Sequence, residues 1–473
     1  MVHLTMLIRK RKSQELFKWL LAKPARMIVS SFLVVDIIGF ILLLLPISSM
    51  DGRSVGPVIA LFTTISATCV TGLVVADTAV TFTTFGRAVI IALIQIGGLG
   101  LVTITTFFIS LVRRKVGLRT RVLAQESSGS FSFLELPKLL RSIIILTFAF
   151  EFSGFLILST QFVPMFGWSK GLAKAGFHSV SSFCNAGFDL MGDTAAGPYS
   201  SMTSFSGNPV VLFTTMFLIV SGGLGFVVWR DLFAFFQTRK LNIHSKITIA
   251  ATGILIISGT IFILAAEWGN MGEMSMGTLP VWQRPIAAMF QSITMRTAGF
   301  NSINMTTMID GTKLLCVALM FIGAGSGSTG GGIKVSTFSL LIYSIISEIK
   351  GRTEIVLRKH QVARVAVQRA TSVFILALGL VLLLSLILTF TESAALESGR
   401  VEYLDLLFES ASAFGTVGVS SASTPDLTTL GQMCLIPVMF IGRVGPITVV
   451  LSLALREPKE YSSVFPEGKI HIG

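Results

Sequence analysis

Charge is scarce in this chain: 13% of its 473 residues are Asp, Glu, Lys or Arg, against 52% hydrophobic residues. An ordinary soluble domain carries about a quarter charged residues, so this balance excludes one. Cysteine is scarcer still. The four, Cys69, Cys184, Cys316 and Cys434, have no metal-ligand spacing and offer no disulfide framework. The N-terminus is basic but lacks a short apolar core with a cleavage site, so no removable signal peptide is expected. No long soluble domain is present either, so no nucleotide site is expected on this chain, and nucleotide sensing would have to come from a partner. Acidic residues are outnumbered 24 to 37, which leaves a net charge of +13. The basic residues are spread over five segments that flank apolar runs, a distribution that argues against nucleic acid as partner.

What the chain has is apolar length. Runs of about 20 apolar residues, enough to cross a bilayer as a helix, fall near 27–48, 84–111, 141–163, 209–237, 247–267, 313–347, 369–391 and 430–455. Between the members of each pair lies a shorter apolar stretch, at 57–68, 171–183, 284–295 and 402–414. The expected fold is an all-α membrane protein of four pseudosymmetric helix–pore-loop–helix repeats around one central pore. It would have eight transmembrane helices and four re-entrant pore helices. Irregular backbone at membrane depth survives where protein or a wet cavity covers it, and four loops meeting on one axis provide that cover. The segments expected are a cytoplasmic N-terminal stretch 1–26, repeat 1 at 27–111, a linker with repeat 2 at 112–237, repeat 3 at 238–347, a linker with repeat 4 at 348–455, and a cytoplasmic tail 456–473. Of the 37 Lys and Arg, 27 fall on one side of this plan, which places both termini in the cytoplasm.

Each short stretch runs into a related motif: Cys69-Val-Thr-Gly-Leu73, Cys184-Asn-Ala-Gly-Phe188, Arg296-Thr-Ala-Gly-Phe300 and Gly415-Thr-Val-Gly-Val419. The shared glycines, Gly72, Gly187, Gly299 and Gly418, lie 115, 112 and 119 residues apart, a period that marks a repeated unit. Glycine reaches the backbone angles that aim successive carbonyls at one point, and a ring of carbonyls can replace the hydration shell of an ion. The candidate filter is therefore Val70, Thr71 and Gly72 with Asn185, Ala186 and Gly187, then Thr297, Ala298 and Gly299, then Thr416, Val417 and Gly418. The pore helices would turn their negative ends toward a cation there. The competing reading, glycine used for close helix packing, explains one such turn more readily than four in register. Asn185 and Arg296 break the fourfold identity, so the pore would be pseudosymmetric. Cys69 and Cys184 share one repeat position, which reads as two small residues at one structural site rather than as redox chemistry.

The run 313–347 contains Gly323-Ala-Gly-Ser-Gly-Ser-Thr-Gly-Gly-Gly332, then Ile333 and Lys334. Gly325, Gly327 and Gly330 match GxGxxG, but the flanks are apolar helix instead of a βαβ unit, and no Walker pattern surrounds Lys334. Glycine is poor in helix interiors, so these residues, with Gly331, predict a flexible loop at membrane depth that would obstruct an ion path. Arg443 in Phe440-Ile-Gly-Arg-Val-Gly-Pro446 is a costly residue at this depth. Three readings stay open for it: a positive barrier facing the pore, a holder of the glycine loop through backbone carbonyls, or a residue that snorkels to the cytoplasmic surface. Asp36 and Glu151 could neutralise Arg443 or Lys334, or bind a coupling ion.

In these residues the chain resembles the Trk/Ktr/HKT superfamily of potassium transporters, and most closely the bacterial Ktr-type membrane subunit. The likeness spans nearly the whole length. The resemblance implies potassium uptake across a bacterial cytoplasmic membrane, with potassium as the transported ion and sodium as a possible coupling ion. It assigns Gly323, Gly325, Gly327, Gly330, Gly331, Gly332, Lys334 and Arg443 to the gate, and implies a homodimer on a cytoplasmic ring of RCK-type nucleotide-binding regulators. Gly72 stands where members that lean toward sodium have serine. A transporter for sodium or ammonium is the alternative. A membrane-embedded hydrolase built on His178 with Ser179, Ser181 and Ser182 is a remote one, since these residues share one short helix and leave three repeats unexplained.

Overall fold

The computed structural model describes residues 24–112, 136–352, 355–357 and 360–453. The N-terminal residues 1–23, the basic linker 113–135 and the tail 454–473, on which much of the expected orientation rests, lie outside the described residues. Helix α1 spans Pro24–Leu44, α2 Pro57–Thr68 and α3 Thr84–Val112. They are followed by α4, Leu136–Phe166, α5, Trp168–Cys184, α6, Pro209–Leu224, and α7, Phe226–Thr238. Next come α8, Ile243–Glu267, α9, Arg284–Thr294, α10, Asp310–Phe321, and α11, Val335–Ile349. The last four are α12, Arg364–Thr391, α13, Tyr403–Gly415, α14, Thr429–Val444, and α15, Pro446–Leu453. Among the described residues, strand structure is confined to a two-residue antiparallel pair, Val356–Leu357 with His360–Gln361, between α11 and α12.

The helices expose apolar side chains and bury polar ones alongside an apolar core. On α1, Leu33, Val34, Ile37, Ile38 and Ile41 are exposed, whereas Asp36 is buried. On α2, Thr63, Thr64, Ser66 and Thr68 are all buried. Such a pattern fits a hydrocarbon solvent, in which polar groups must find partners within the protein. Among the described residues, four helices are long and apolar enough to cross a membrane: Ala25–Leu44, Leu140–Phe166, Ile243–Glu267 and Arg364–Thr391.

Three expected spans are broken rather than continuous. The run 209–237 bends by 96° between α6 and α7, and 430–455 bends by 97° between α14 and α15. Gly225 and Gly445 at the two breaks both have φ of +95°, which a helical ladder cannot pass through. The run 313–347 is divided by the glycine segment between α10 and α11, as its composition predicts. The short helices α2, α5, α9 and α13 match the predicted short stretches to within a few residues. Pro57 opens α2 beside Gly56, and a Glu402–Asp405 capping box opens α13.

Candidate ion pathway

Each of the four short helices ends in a turn of the same kind. Val70, Asn185, Thr297 and Thr416 have positive φ, at 57°, 60°, 77° and 50°, and the glycine two residues on returns to positive φ, at 87°, 71°, 85° and 96°. The residue between them does not. A non-glycine residue held there costs on the order of 1–3 kcal/mol, and strain of this sort clusters at functional sites. Local bonds fix the shape. Thr71, Ala186 and Val417 donate their backbone N–H to the carbonyls of Ser66, Ser181 and Ser412 at 2.8, 2.8 and 2.9 Å. The third copy differs, with Ala298 donating to Thr294 at 2.9 Å.

The turns meet in chain order. A Cβ added to Gly72 would strike Ala186, one on Gly187 would lie 2.8 Å from Gly299 Cα, one on Gly299 would strike Val417, and one on Gly418 would strike Thr71. The ring is closed. On one side it opens into a cleft lined by all four glycines together with Asp77, Asp189, Asn301 and Ser420. Asp189 lies in the loop beyond the second turn, where burial pushes its carboxyl up to about 6, opposed by the Met191 N–H that it accepts.

Against the turns lies the glycine segment. A Cβ on Gly330 would meet the Thr297 side chain, one on Gly331 the Thr416 side chain, and one on Gly332 would stand 3.4 Å from Gly415 Cα. Thr329 Oγ1 donates to the Phe183 carbonyl at 3.1 Å. Two buried cations, Arg296 and Arg443, and the half-buried Lys334 hold this segment by its carbonyls. Lys334 Nζ donates to Gly330 O at 2.6 Å and Gly331 O at 3.3 Å, and Arg296 Nη2 donates to Gly323 O at 3.4 Å. Arg443 donates through Nη1 to Thr329 O and through Nη2 to Gly97 O and Gly98 O. Of the three readings left open for Arg443, the geometry matches the holder of the loop. Its place also differs from mid-span, since it sits in the last turn of α14 just before the break. Gly323 begins the segment, Gly325 N–H donates to Gly223 O at 2.8 Å, and Gly327 O accepts from Phe226 at 3.0 Å.

Neither Asp36 nor Glu151 makes an ion pair with Arg443 or Lys334. Two ion pairs among the described residues, Lys174–Asp193 and Lys313–Asp405, the latter at 2.8 Å, lie elsewhere. His178 Nε2 lies 3.1 Å from Thr215 Oγ1, while Ser179 and Ser181 donate to the carbonyls of Glu151 and Phe188. No nucleophile–base pair forms among them. All four cysteines are free.

Sequence reasoning missed two sets of residues. Ser66 Oγ accepts from Gly72 N–H at 3.1 Å and donates to Leu73 O at 2.7 Å, and Ser412 Oγ accepts from Gly418 N–H at 3.1 Å. With Ser181, they stand six residues before their glycines, and Ile293 holds that place in the third copy. The second set is Gly97, Gly222 and Gly442, each packed on a carbonyl at the end of a short helix: Thr68, Phe183 and Phe414. Gly97-Gly-Leu-Gly100, Gly222-Gly-Leu-Gly225 and Gly442-Arg-Val-Gly445 were the available signal.

Membrane-length helices enclosing a closed ring of strained turns define a class, the multi-pass membrane transport proteins. Residues 7–463 match the TrkH family of cation transport proteins, and the chain belongs to that family. It is 38% identical over 464 residues to the Ktr system potassium uptake protein B of Bacillus subtilis, covering 98% of this chain and 99% of that protein. It is 37% identical over 451 residues to the potassium/sodium uptake protein NtpJ of Enterococcus hirae, covering 95% and 97%. The crystal structure of the potassium transporter TrkH from Vibrio parahaemolyticus shares the fold. The TM-score is 0.68 over 90% of this chain and 84% of that one, at 16% identity.

Proposed function

We propose that this chain takes up potassium across the cytoplasmic membrane of a bacterium, through a filter formed by the backbone carbonyls of the four glycine turns. The closure of the turns into one ring carries this reading. The ring is the centre of four helix–pore-loop–helix repeats with eight spans, three of them broken, and the pore helices point their negative ends toward the ion. The segment Gly323–Gly332 is the gate, clamped under the ring by Arg296, Lys334 and Arg443. Both termini face the cytoplasm, following the distribution of Lys and Arg. The protein works as a homodimer on a cytoplasmic ring of RCK-type nucleotide-binding regulators, and uptake depends on sodium. The name of the Enterococcus relative, a potassium/sodium uptake protein, favours sodium dependence, and equally keeps sodium as the second reading for the transported ion.

The deciding experiment expresses the chain in a bacterium that lacks its own potassium uptake systems. Growth on low potassium and rubidium uptake are expected to return with the parent and to fail with Gly299→Val at matched membrane levels. Rescue by Gly299→Val would remove the filter. Sodium uptake without potassium uptake would select the second reading.

A further inference from the structure

Two buried acids have no part in the mechanism above. Asp36 on α1 and Glu151 on α4 each stand 36 residues before a ring glycine, Gly72 and Gly187. The corresponding positions in the other two repeats are Ile263 and Leu382. Asp36 is 5% exposed and Glu151 6%. Both carboxyl oxygens of Asp36 are buried without a hydrogen-bond partner. The hydroxyl beside it, Thr68 Oγ1, is committed to Thr64 O at 2.9 Å. Glu151 Oε1 receives a long contact from Cys184 Sγ at 3.9 Å, with the Gln95 side chain beside the carboxyl, and the thiol also reaches Gln95 Oε1 at 3.8 Å. A thiol is a weak donor.

The two acids flank one strip of α3. Gly97 packs on the Thr68 carbonyl, next to Cys69 and on the side of Asp36, and Gly98 packs on Cys184, the neighbour of Glu151. The carbonyls of these same glycines accept Arg443. An ionised carboxylate with no cation at this depth is costly. A metal ion would need several oxygen ligands around it. The open cleft beside Asp36 is otherwise lined by apolar side chains, among them Leu33, Ile37, Phe40, Leu61 and Phe440. A proton needs neither ligands nor room.

We propose that Asp36 and Glu151 are proton-binding sites paired across α3, and that their protonation sets the net charge around Arg443. The other ionisable groups on the packed helices are engaged elsewhere or sit at other levels. Arg26 donates to Ser452 O, Arg87 to Ala79 O, Lys174 to Asp193, and Asp231 accepts from Asn242. His178 meets Thr215; Arg141, Lys170 and Arg230 lie on α4, α5 and α7. That leaves Cys69 near both Asp36 and Arg443, and Cys184 near both Glu151 and Arg443. With both carboxyls ionised, the charge of Arg443 is offset and its hold on the Thr329 carbonyl weakens; with both protonated, the guanidinium clamps the glycine segment at full strength and slows a cation.

The consequence for uptake rests on the proposed function, whereas proton binding does not, and the test separates them. Infrared difference spectra of the full-length protein in lipid, acid minus alkaline, are expected to show protonated-carboxyl bands. Asp36→Asn and Glu151→Gln should each remove one, and Asp36→Glu should return it at a shifted frequency. At a pH where the parent bands are gone, the double variant Asp36→Asn/Glu151→Gln is fixed in the neutral form. Its rubidium uptake is expected to fall roughly two- to tenfold below the parent. Spectra unchanged by the substitutions overturn proton binding. Bands lost with uptake unchanged overturn the link to Arg443. If the parent itself transports no rubidium, the proposed function fails while the spectra still decide on the proton.

Discussion

Gly418 stands against Thr71, so that any Cβ on Gly418 would come inside 3.0 Å of the Thr71 carbonyl oxygen. The last turn of the chain thereby closes on the first, and the ring tolerates no side chain at its glycines. Gly418→Ala and Gly72→Ala are therefore expected to abolish rubidium uptake, since each combines a backbone clash with a strained φ. Gly379 lies in α12 with nothing within 4 Å of an added Cβ, and Gly379→Ala should transport like the parent. Uptake preserved in Gly418→Ala would mean that the ring is not the path.

The serines six residues before the glycines are the next test. Ser412→Ala strips Gly418 N–H of its side-chain acceptor, and a buried unsatisfied N–H costs about 1–3 kcal/mol. The turn is expected to loosen without unfolding, so that the preference for rubidium over caesium falls while expression holds. Ile293→Ser in the third copy should do no harm to that preference. An unchanged rubidium-to-caesium ratio in Ser66→Ala and Ser412→Ala would reduce the serines to helix packing.

Asp189 gives the cleft beside the ring a titratable wall. Burial raises its carboxyl to about 6, so the group is charged above that pH and neutral below it. A cation is attracted by the charged form, and the apparent KM for rubidium is expected to rise as external pH falls through about 6. Asp189→Asn should show the high KM at every pH. A pH profile shared by Asp189→Asn and the parent would exclude this carboxyl as its source.

Much of this architecture is legible in the residues because membranes narrow the choices. Apolar length marked the helices, and the period of Gly72, Gly187, Gly299 and Gly418 marked the turns that meet. The breaks at Gly225 and Gly445 were harder to see, since a single glycine in an apolar run more often packs than bends. The role of Ser66 and Ser412 was hidden for a different reason: a buried serine shows its partner only once the turn has folded back over it. The role of Arg443 needed long-range geometry, because its carbonyl partners Gly97 and Thr329 lie more than a hundred residues away, on α3 and in the glycine segment.

That geometry sets the outcome at Arg443. The guanidinium reaches the loop at Thr329 with one nitrogen and α3 at Gly97 and Gly98 with the other. A planar fork spans two such groups, whereas the point charge of lysine on a flexible stem does not. Each bond from a charged donor is worth about 1.5–3 kcal/mol, so losing one shifts the balance between clamped and released loop by roughly tenfold or more. Arg443→Lys and Arg443→Gln are thus both expected to raise initial rubidium uptake well above the parent in the absence of a cytoplasmic partner. Gln should lead by the smaller effect of the missing charge. If repulsion alone mattered, Lys would keep the parent rate and only Gln would rise. Uptake equal in all three proteins would show that Arg443 holds no gate, and that the segment Gly323–Gly332 is a structural hinge.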